Sequence, residues 1–204
     1  MIKVTKENIC CMACGYGCPL TDKDSDIIKR CPLQKVAVWP SRNRFFIKGI
    51  LAAITSRYEN IFIRGIIFVD FSIKHVRYFL NYSWITYLKS TGFNIIIVCD
   101  AYMEALANYW MEQDSAIKAV ITNRKKIKEI KGIINRIIYG AVSPRKIRLY
   151  SLNHDEVRFL ELAVSGKSLL SISTEMNTNI KCIYNIKQSL RKKIGISLNE
   201  LLTK

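Results

Sequence analysis

The sequence predicts two folded units in series: an α/β unit built on a parallel sheet, and an all-α unit of four helices that ends the chain. Between residues 35 and 143, strand-length apolar runs alternate with longer stretches of helical period. One run, residues 65–71, is apolar throughout except for Asp70 near its end. A strand without polar alternation is buried on both faces, as in a parallel sheet covered by its own crossover helices. From residue 152 onward the periodic stretches are all helical, and capping residues mark their starts.

In chain order, Val36–Trp39 reads as a strand stopped by Pro40, and residues 45–58 as a helix with Phe46, Ile50, Ala53 and Ile54 on one face. Strand 65–71 follows. After it come a helix over 74–89, a strand over 94–99, a helix over 102–112, a strand over 117–122 and a basic amphipathic helix over 125–139. From residue 140 to 151 the chain carries Gly140, Pro144 and several cations with no period. The resulting plan is a cysteine-rich irregular segment at 1–34, the α/β domain at 35–143, a linker at 144–151 and the helical domain at 152–204.

In the helical domain, Asn153 followed three residues later by Glu156 is a capping box. The helix it opens buries Phe159, Leu160, Leu162 and Ala163 and ends at Gly166. Ser168 caps a second helix with Leu169, Ile172 and Met176 inward. After a turn at Asn177-Thr178-Asn179, a third helix buries Ile180, Ile183, Leu190 and Ile194 and stops at Gly195. Ser197 with Glu200 opens a last short helix carrying Leu198, Leu201 and Leu202. The third helix leaves Tyr184, Asn185, Gln188 and Arg191 outside. A short helix held across a turn in this way is a helix-turn-helix, able to enter the major groove of double-stranded DNA. Tyr184, Asn185 and Gln188 are the candidate base readers, since Asn and Gln pair bidentately with adenine. Lys181, Lys187, Arg191 and Lys192 are the candidate phosphate contacts.

Charge supports that partner. Of 204 residues, 32 are Lys or Arg and 16 Asp or Glu, a net +16. Residues 118–148 hold ten cations against one acid, Glu129. Such an excess favours a polyanion, whose condensed counterions are released on binding. No apolar run reaches the roughly 18 residues of a membrane helix, and no signal peptide is visible, so a cytoplasmic protein is expected, with no membrane partner. No nucleophile–base pair, phosphate-cradling glycine loop or paired carboxylates stands out, and no enzymatic activity is expected.

Cys11, Cys14, Cys18 and Cys31 offer four thiolates at spacings that can close around one metal, zinc or an iron–sulfur cluster, with Cys10 to spare. Redox-active thiols and a tail of reduced, uncommitted thiols are the other readings of this segment. Cys99 and Cys182 sit in apolar patterns and read as buried spectators, and His75 and His154 as surface or cap residues.

The helical unit resembles the LuxR/FixJ-type DNA-binding domain without gaps. The residues that carry the resemblance are Leu152-Asn153, Glu156, Phe159-Leu160, Leu162 and Gly166, then Ser168, Ile172 and Met176, then Lys181-Cys182-Ile183, Leu190 and Lys193-Ile194-Gly195. Asp155, Ser173, Cys182 and Ile186 replace the usual Arg, Ala, Thr and His. The resemblance implies that the α/β domain is an abbreviated receiver, with residues 65–70, 94–99 and 117–122 as the third, fourth and fifth receiver strands. Trp39-Pro40-Ser41-Arg42 stands where the receiver's acidic pair belongs, and Asn123-Arg124 where its lysine belongs. Asp70 holds the acceptor's place without partners, so no phosphoacceptor is expected.

Val38-Trp39-Pro40-Ser41, residues 45–49, residues 104–110 and residues 117–120 are similar to the EcpR/MatA group of fimbria and pilus regulators, a likeness covering most of residues 36–204. It implies a transcription regulator, an activator of fimbrial, adhesion or virulence genes, binding DNA as a homodimer and working with RNA polymerase or another regulator. The alternatives are a heterodimerising co-regulator with weak DNA binding, and a redox or metal sensor acting through the N-terminal cysteines. A single helix-turn-helix reads only a few base pairs, so pairing on DNA is expected, through the last helix with Leu198, Leu201 and Leu202 rather than the basic helix with Ile130, Ile133, Ile134 and Ile137, whose like charge opposes self-association.

Overall fold

A computed structural model describes residues 9–12, 17–20, 36–54, 65–122, 127–138 and 150–203. Its centre is a four-stranded, all-parallel sheet of β1 (Val36–Trp39), β2 (Ile66–Phe71), β3 (Asn94–Cys99) and β4 (Ile117–Thr122), in spatial order 1-2-3-4. The β1 register pairs Val36 with Ile66 and Trp39 with Val69. All six β2 residues are buried, Asp70 included, as an unbroken apolar run in a parallel sheet should be.

Alternation along the strands divides the core in two. Val36, Val38, Ile66, Phe68, Ile96, Ala119 and Ile121 face α1 (Arg44–Ile54) and α4 (Ile127–Ile138), meeting Ile50, Ile54, Ile133 and Ile134. Trp39, Ile67, Val69, Phe71, Ile95 and Ile97 face the other way, onto a 3-10 helix (Ile73–Phe79), α2 (Ser83–Lys89) and α3 (Glu104–Gln113). Rings of Trp39, Phe71, Phe79 and Trp84 meet there, with Phe71 and Phe79 stacked at 3.9 Å between centroids.

The single helix expected over 74–89 is two. Asn81 Oδ1 accepts the Ser83 N–H at 3.1 Å and also the Ser83 hydroxyl, a local bond that interrupts one ladder and starts the next. The helix expected from residue 102 begins at Glu104, because Asp100 Oδ1 takes the N–H groups of Tyr102 and Met103 in a turn. Helix α1 is described to Ile54, and the rest of the expected helix lies outside the described residues.

The N-terminal segment, expected to be irregular, contributes structure. Cys10 and Pro19 form an antiparallel bridge, Met12 N–H donates to the Val36 carbonyl at 2.7 Å, and Ile9, Cys11 and Leu20 join the sheet core. Apolar residues on alternate positions supply the driving force.

The helical unit comprises α5 (His154–Val164), α6 (Leu169–Glu175), α7 (Ile180–Ile194) and α8 (Leu198–Thr203). It docks on α3. Ala105 to Met111 are all buried, round the whole circumference of that helix, which requires cover on the side away from the sheet. Leu152 N–H donates to the Ala105 carbonyl at 3.1 Å, Asn108 Nδ2 to the Tyr150 carbonyl at 3.0 Å and Ser151 Oγ to Glu112 at 3.1 Å. Tyr109 Oη meets His154 Nδ1 at 3.4 Å. Of the linker expected at 144–151, only Tyr150 and Ser151 are among the described residues.

Candidate nucleic-acid interface

Local chemistry places α7. Ser168 Oγ accepts the Ser171 N–H at 3.2 Å and opens α6. The turn out of α6 passes through Asn177 at φ 50, left-handed backbone that asparagine tolerates better than most residues. Asn179 Oδ1 then accepts the Cys182 N–H at 2.9 Å and caps α7. At the far end Gly195, at φ 85, closes the helix on the Arg191 carbonyl.

Packing sets the tilt of α7. Ile183, Leu190 and Ile194 are buried with Ile172, Phe159 and Leu160. Ser173, in place of the usual alanine, is buried too, and its hydroxyl donates to the Leu170 carbonyl at 2.7 Å, so the extra polar group is satisfied. Glu156 is the polar strap. Its carboxylate accepts from Ser189 Oγ at 2.6 Å, Lys193 Nζ at 2.7 Å and the Asn153 N–H at 2.8 Å, tying α5 to α7. Burial alone would raise its pKa. The donors, Lys193 foremost, overcome that and hold the carboxyl below its ordinary value.

The outward face of α7 carries Lys181, Tyr184, Asn185, Gln188, Arg191 and Lys192, all exposed. Lys187 is half-buried beside a narrow cleft lined by Phe159, Leu160, Leu198 and Leu201. Among the described residues no carboxylate pairs with Lys181, Lys187, Arg191 or Lys192, whereas Arg158 and Lys167 both meet Glu175 on α6. All seven expected positions are thus on one helix, six of them open to solvent.

Several expectations change. Ile180 is 38% exposed and joins the outer face next to Tyr184, because the first residue of a helix has no preceding turn to cover it. Cys182 is half-buried, while Cys99 is buried as expected. Leu201 is 2% exposed and part of the core, with Leu198 packed beside it, so these two leucines of the last helix are spent inside their own unit. The stripe on α4 is likewise spent: Ile133 and Ile134 are buried on the sheet, and Ile130 and Ile137 pack against the same cluster.

The other candidate places sort as follows. Cys11 is buried and Cys18 half-buried, on facing strands; Cys14 and Cys31 lie outside the described residues. Among the described residues no group of three or more His, Cys, Asp or Glu stands where a metal ion would be held. Asp70 is 3% exposed and covered, with Oδ2 accepting from Asn43 Nδ2 at 3.0 Å and lying 3.7 Å from His75 Nε2. Burial would raise its pKa, but His75 and Asn43 lower it on balance. His75 is therefore more than a surface residue, and Asn43, which the sequence reading passed over, both caps α1 through Phe46 N–H and covers Asp70. Asn123 and Arg124 lie outside the described residues.

A parallel α/β unit of receiver type, followed by a four-helix unit whose third helix turns a polar, cationic face outward, is the arrangement expected from the LuxR/FixJ-type resemblance. Comparison with known proteins fixes the family. The family described as EcpR N-terminal domain matches residues 10–138, and the chain belongs to it. That match starts within the cysteine segment, further upstream than the resemblance over residues 36–204 had reached. A protein of Escherichia coli K12 described as uncharacterized protein YqeH is 31% identical over 198 residues, covering 96% of this chain and 92% of that protein. Among solved structures, the response regulator RcsB in complex with DNA is similar at 17% identity and a TM-score of 0.46, over 79% of this chain and 95% of that one. Full-length FixJ of B. japonicum is similar at 17% identity and a TM-score of 0.29, over 76% and 78%.

Proposed function

We propose that the chain is a sequence-specific, double-stranded-DNA-binding transcription regulator. The observation that carries this is the outward face of α7, where Lys181, Arg191 and Lys192 stand exposed beside Tyr184, Asn185 and Gln188 on a helix packed, capped and strapped in place. Tyr184, Asn185 and Gln188 read base edges, while Lys181, Lys187, Arg191 and Lys192 hold phosphates. The net charge of +16 supplies sequence-independent attraction. The protein works in the cytoplasm at the nucleoid, pairs as a homodimer on DNA, and activates fimbrial, adhesion or virulence genes together with RNA polymerase or another regulator. That RcsB has been solved bound to DNA accords with the DNA assignment. Its output does not depend on phosphorylation, since Asp70 is covered by the Asn43 amide and the His75 imidazole where a receiver needs further carboxylates.

The test is selection of duplexes from a randomised library with the full chain, followed by titration of the selected duplex against a scrambled one. Gln188→Ala or Asn185→Ala should weaken the selected duplex by about 1–3 kcal/mol and relax preference at one base pair. Lys181→Ala or Lys192→Ala should weaken both duplexes alike and flatten the log-affinity against log-salt slope by about one unit. If neither class of variant alters binding, α7 is not the reader. A chain that selects no sequence at all would favour the heterodimerising co-regulator.

A further inference from the structure

Residues 9–11 and 18–20 pair antiparallel in a register fixed by two bonds. Leu20 N–H donates to the Ile9 carbonyl at 2.6 Å and Cys11 N–H to the Cys18 carbonyl at 2.7 Å, on either side of the Cys10–Pro19 bridge. Residue 9 therefore faces 20, and 11 faces 18. Directly opposed residues share a face of such a pair, and successive residues alternate. Burial agrees: Ile9, Cys11 and Leu20 are in the sheet core, Cys18 packs half-buried against that same core, and Pro19 is exposed. Cys11 and Cys18 are thus cross-strand neighbours on one face. In a hydrogen-bonded pair of this kind the Cα atoms are about 5.5 Å apart, inside the roughly 4.4–6.8 Å that a disulfide spans. Cys10 stands opposite Pro19 on the alternate face.

We propose that Cys11 and Cys18 are a redox pair that closes reversibly to a disulfide by exchange with a small-molecule disulfide. The half-exposed Cys18 thiolate attacks one sulfur of glutathione disulfide, forms a mixed disulfide and releases one glutathione as thiolate. The Cys11 thiolate then attacks the Cys18 sulfur, forming the Cys11–Cys18 bond and releasing the second glutathione. Two electrons pass from the protein pair to the small disulfide, and the two protons given up by the protein thiols end on the two glutathione thiols. Burial sets the order, since Cys18 can meet a small molecule and Cys11 meets only its neighbour. Closure joins the two paired segments where Met12 N–H ties the first of them to β1.

The full chain is equilibrated with excess glutathione disulfide or with reduced glutathione, acid-quenched, alkylated and read by fragmentation mass spectrometry of its N-terminal peptide. Oxidation should remove two alkylatable thiols, at Cys11 and Cys18, and reduced glutathione should restore both. Cys10→Ser and Cys14→Ser should still lose two thiols, while Cys18→Ser should show no internal closure. Because buried Cys11→Ser can fail to fold, Cys18→Ser, checked by its Tm, is the deciding variant. The proposal is overturned if all thiols survive oxidation, if Cys18→Ser still closes, if Cys14→Ser abolishes closure, or if a stoichiometric zinc ion in the purified protein shields Cys11 and Cys18 from alkylation.

Discussion

Glu156 accepts from Ser189, Lys193 and its own helix cap while only 2% exposed, so its removal leaves Lys193 and Ser189 facing an apolar core. Glu156→Ala should destabilise the helical unit by about 3 kcal/mol, the lower end for a broken buried pair, because Lys193 can still turn to solvent. The pH sign follows from the depressed folded pKa. Above the ordinary glutamate value of 4.5 this contribution is fully present, and it is lost as pH falls through the lower folded value. Asp70 and Asp114, both lowered on balance, add in the same direction. Urea midpoints of the parent chain should therefore fall on acidification below about pH 4.5, with a smaller fall in Glu156→Gln; equal falls in the two proteins would remove Glu156 from the account. Half of this cluster was legible in the sequence, since a capping box is a local pattern, but Ser189 and Lys193 lie 33 and 37 residues away and no spacing announces them. A separation of 27 residues likewise hid Asn43 over Asp70. That cover yields a second expectation: acetyl phosphate should leave the mass of the intact protein unchanged, and Asp70→Asn should bind DNA as the parent does. A phosphoryl adduct mapped to Asp70 would refute it.

Elements were legible where a period ran long enough to exclude its rival. The strands β1, β3 and β4 fall where they were expected, and α7 shows both its cap and its stop. Boundaries failed where one polar side chain competed with the ladder, as Asn81 does between the 3-10 helix and α2 and Asp100 does before α3. Burial failed differently. The leucines of α8 form an apolar stripe that periodicity alone cannot assign to a dimer or to a core, and the tertiary fold assigns Leu201 to the core. Leu201→Ala should therefore lower the stability of the helical unit by about 2–5 kcal/mol, through lost burial and the cavity left behind, at any protein concentration. A variant of unaltered urea midpoint whose dimer dissociated instead would return α8 to the role of a pairing surface. Three α8 features already argue for folding within the unit: Ser197 and Glu200 close a capping box, Leu198 packs on the core, and the cleft by Lys187 is walled by Leu198 and Leu201.

Across the whole molecule the telling fact is that α3 has no free side. Its seven successive buried residues are held between the sheet and the helical unit, and the apolar core runs through it without a break from Trp39 to Phe159. Four polar contacts frame that joint, and the Asn108 amide is itself 2% exposed. Two domains joined by a polar linker would unfold separately. Units that share a core gain cooperativity, because opening either one exposes apolar surface on the other. The full chain should accordingly melt in one calorimetric transition, with tryptophan fluorescence, which reports Trp39, Trp84 and Trp110 in the sheet unit, coincident with helical circular dichroism. Asn108→Ala deletes the amide that meets the Tyr150 carbonyl and should weaken the joint by about 1 kcal/mol, lowering both probes together. Two separated transitions in the parent chain, or an Asn108→Ala variant in which only one probe shifts, would mean that the helical unit folds alone. The outward face of α7 stays exposed while the unit is docked on α3, so a duplex bound there as proposed would meet the same arrangement that melts as one body.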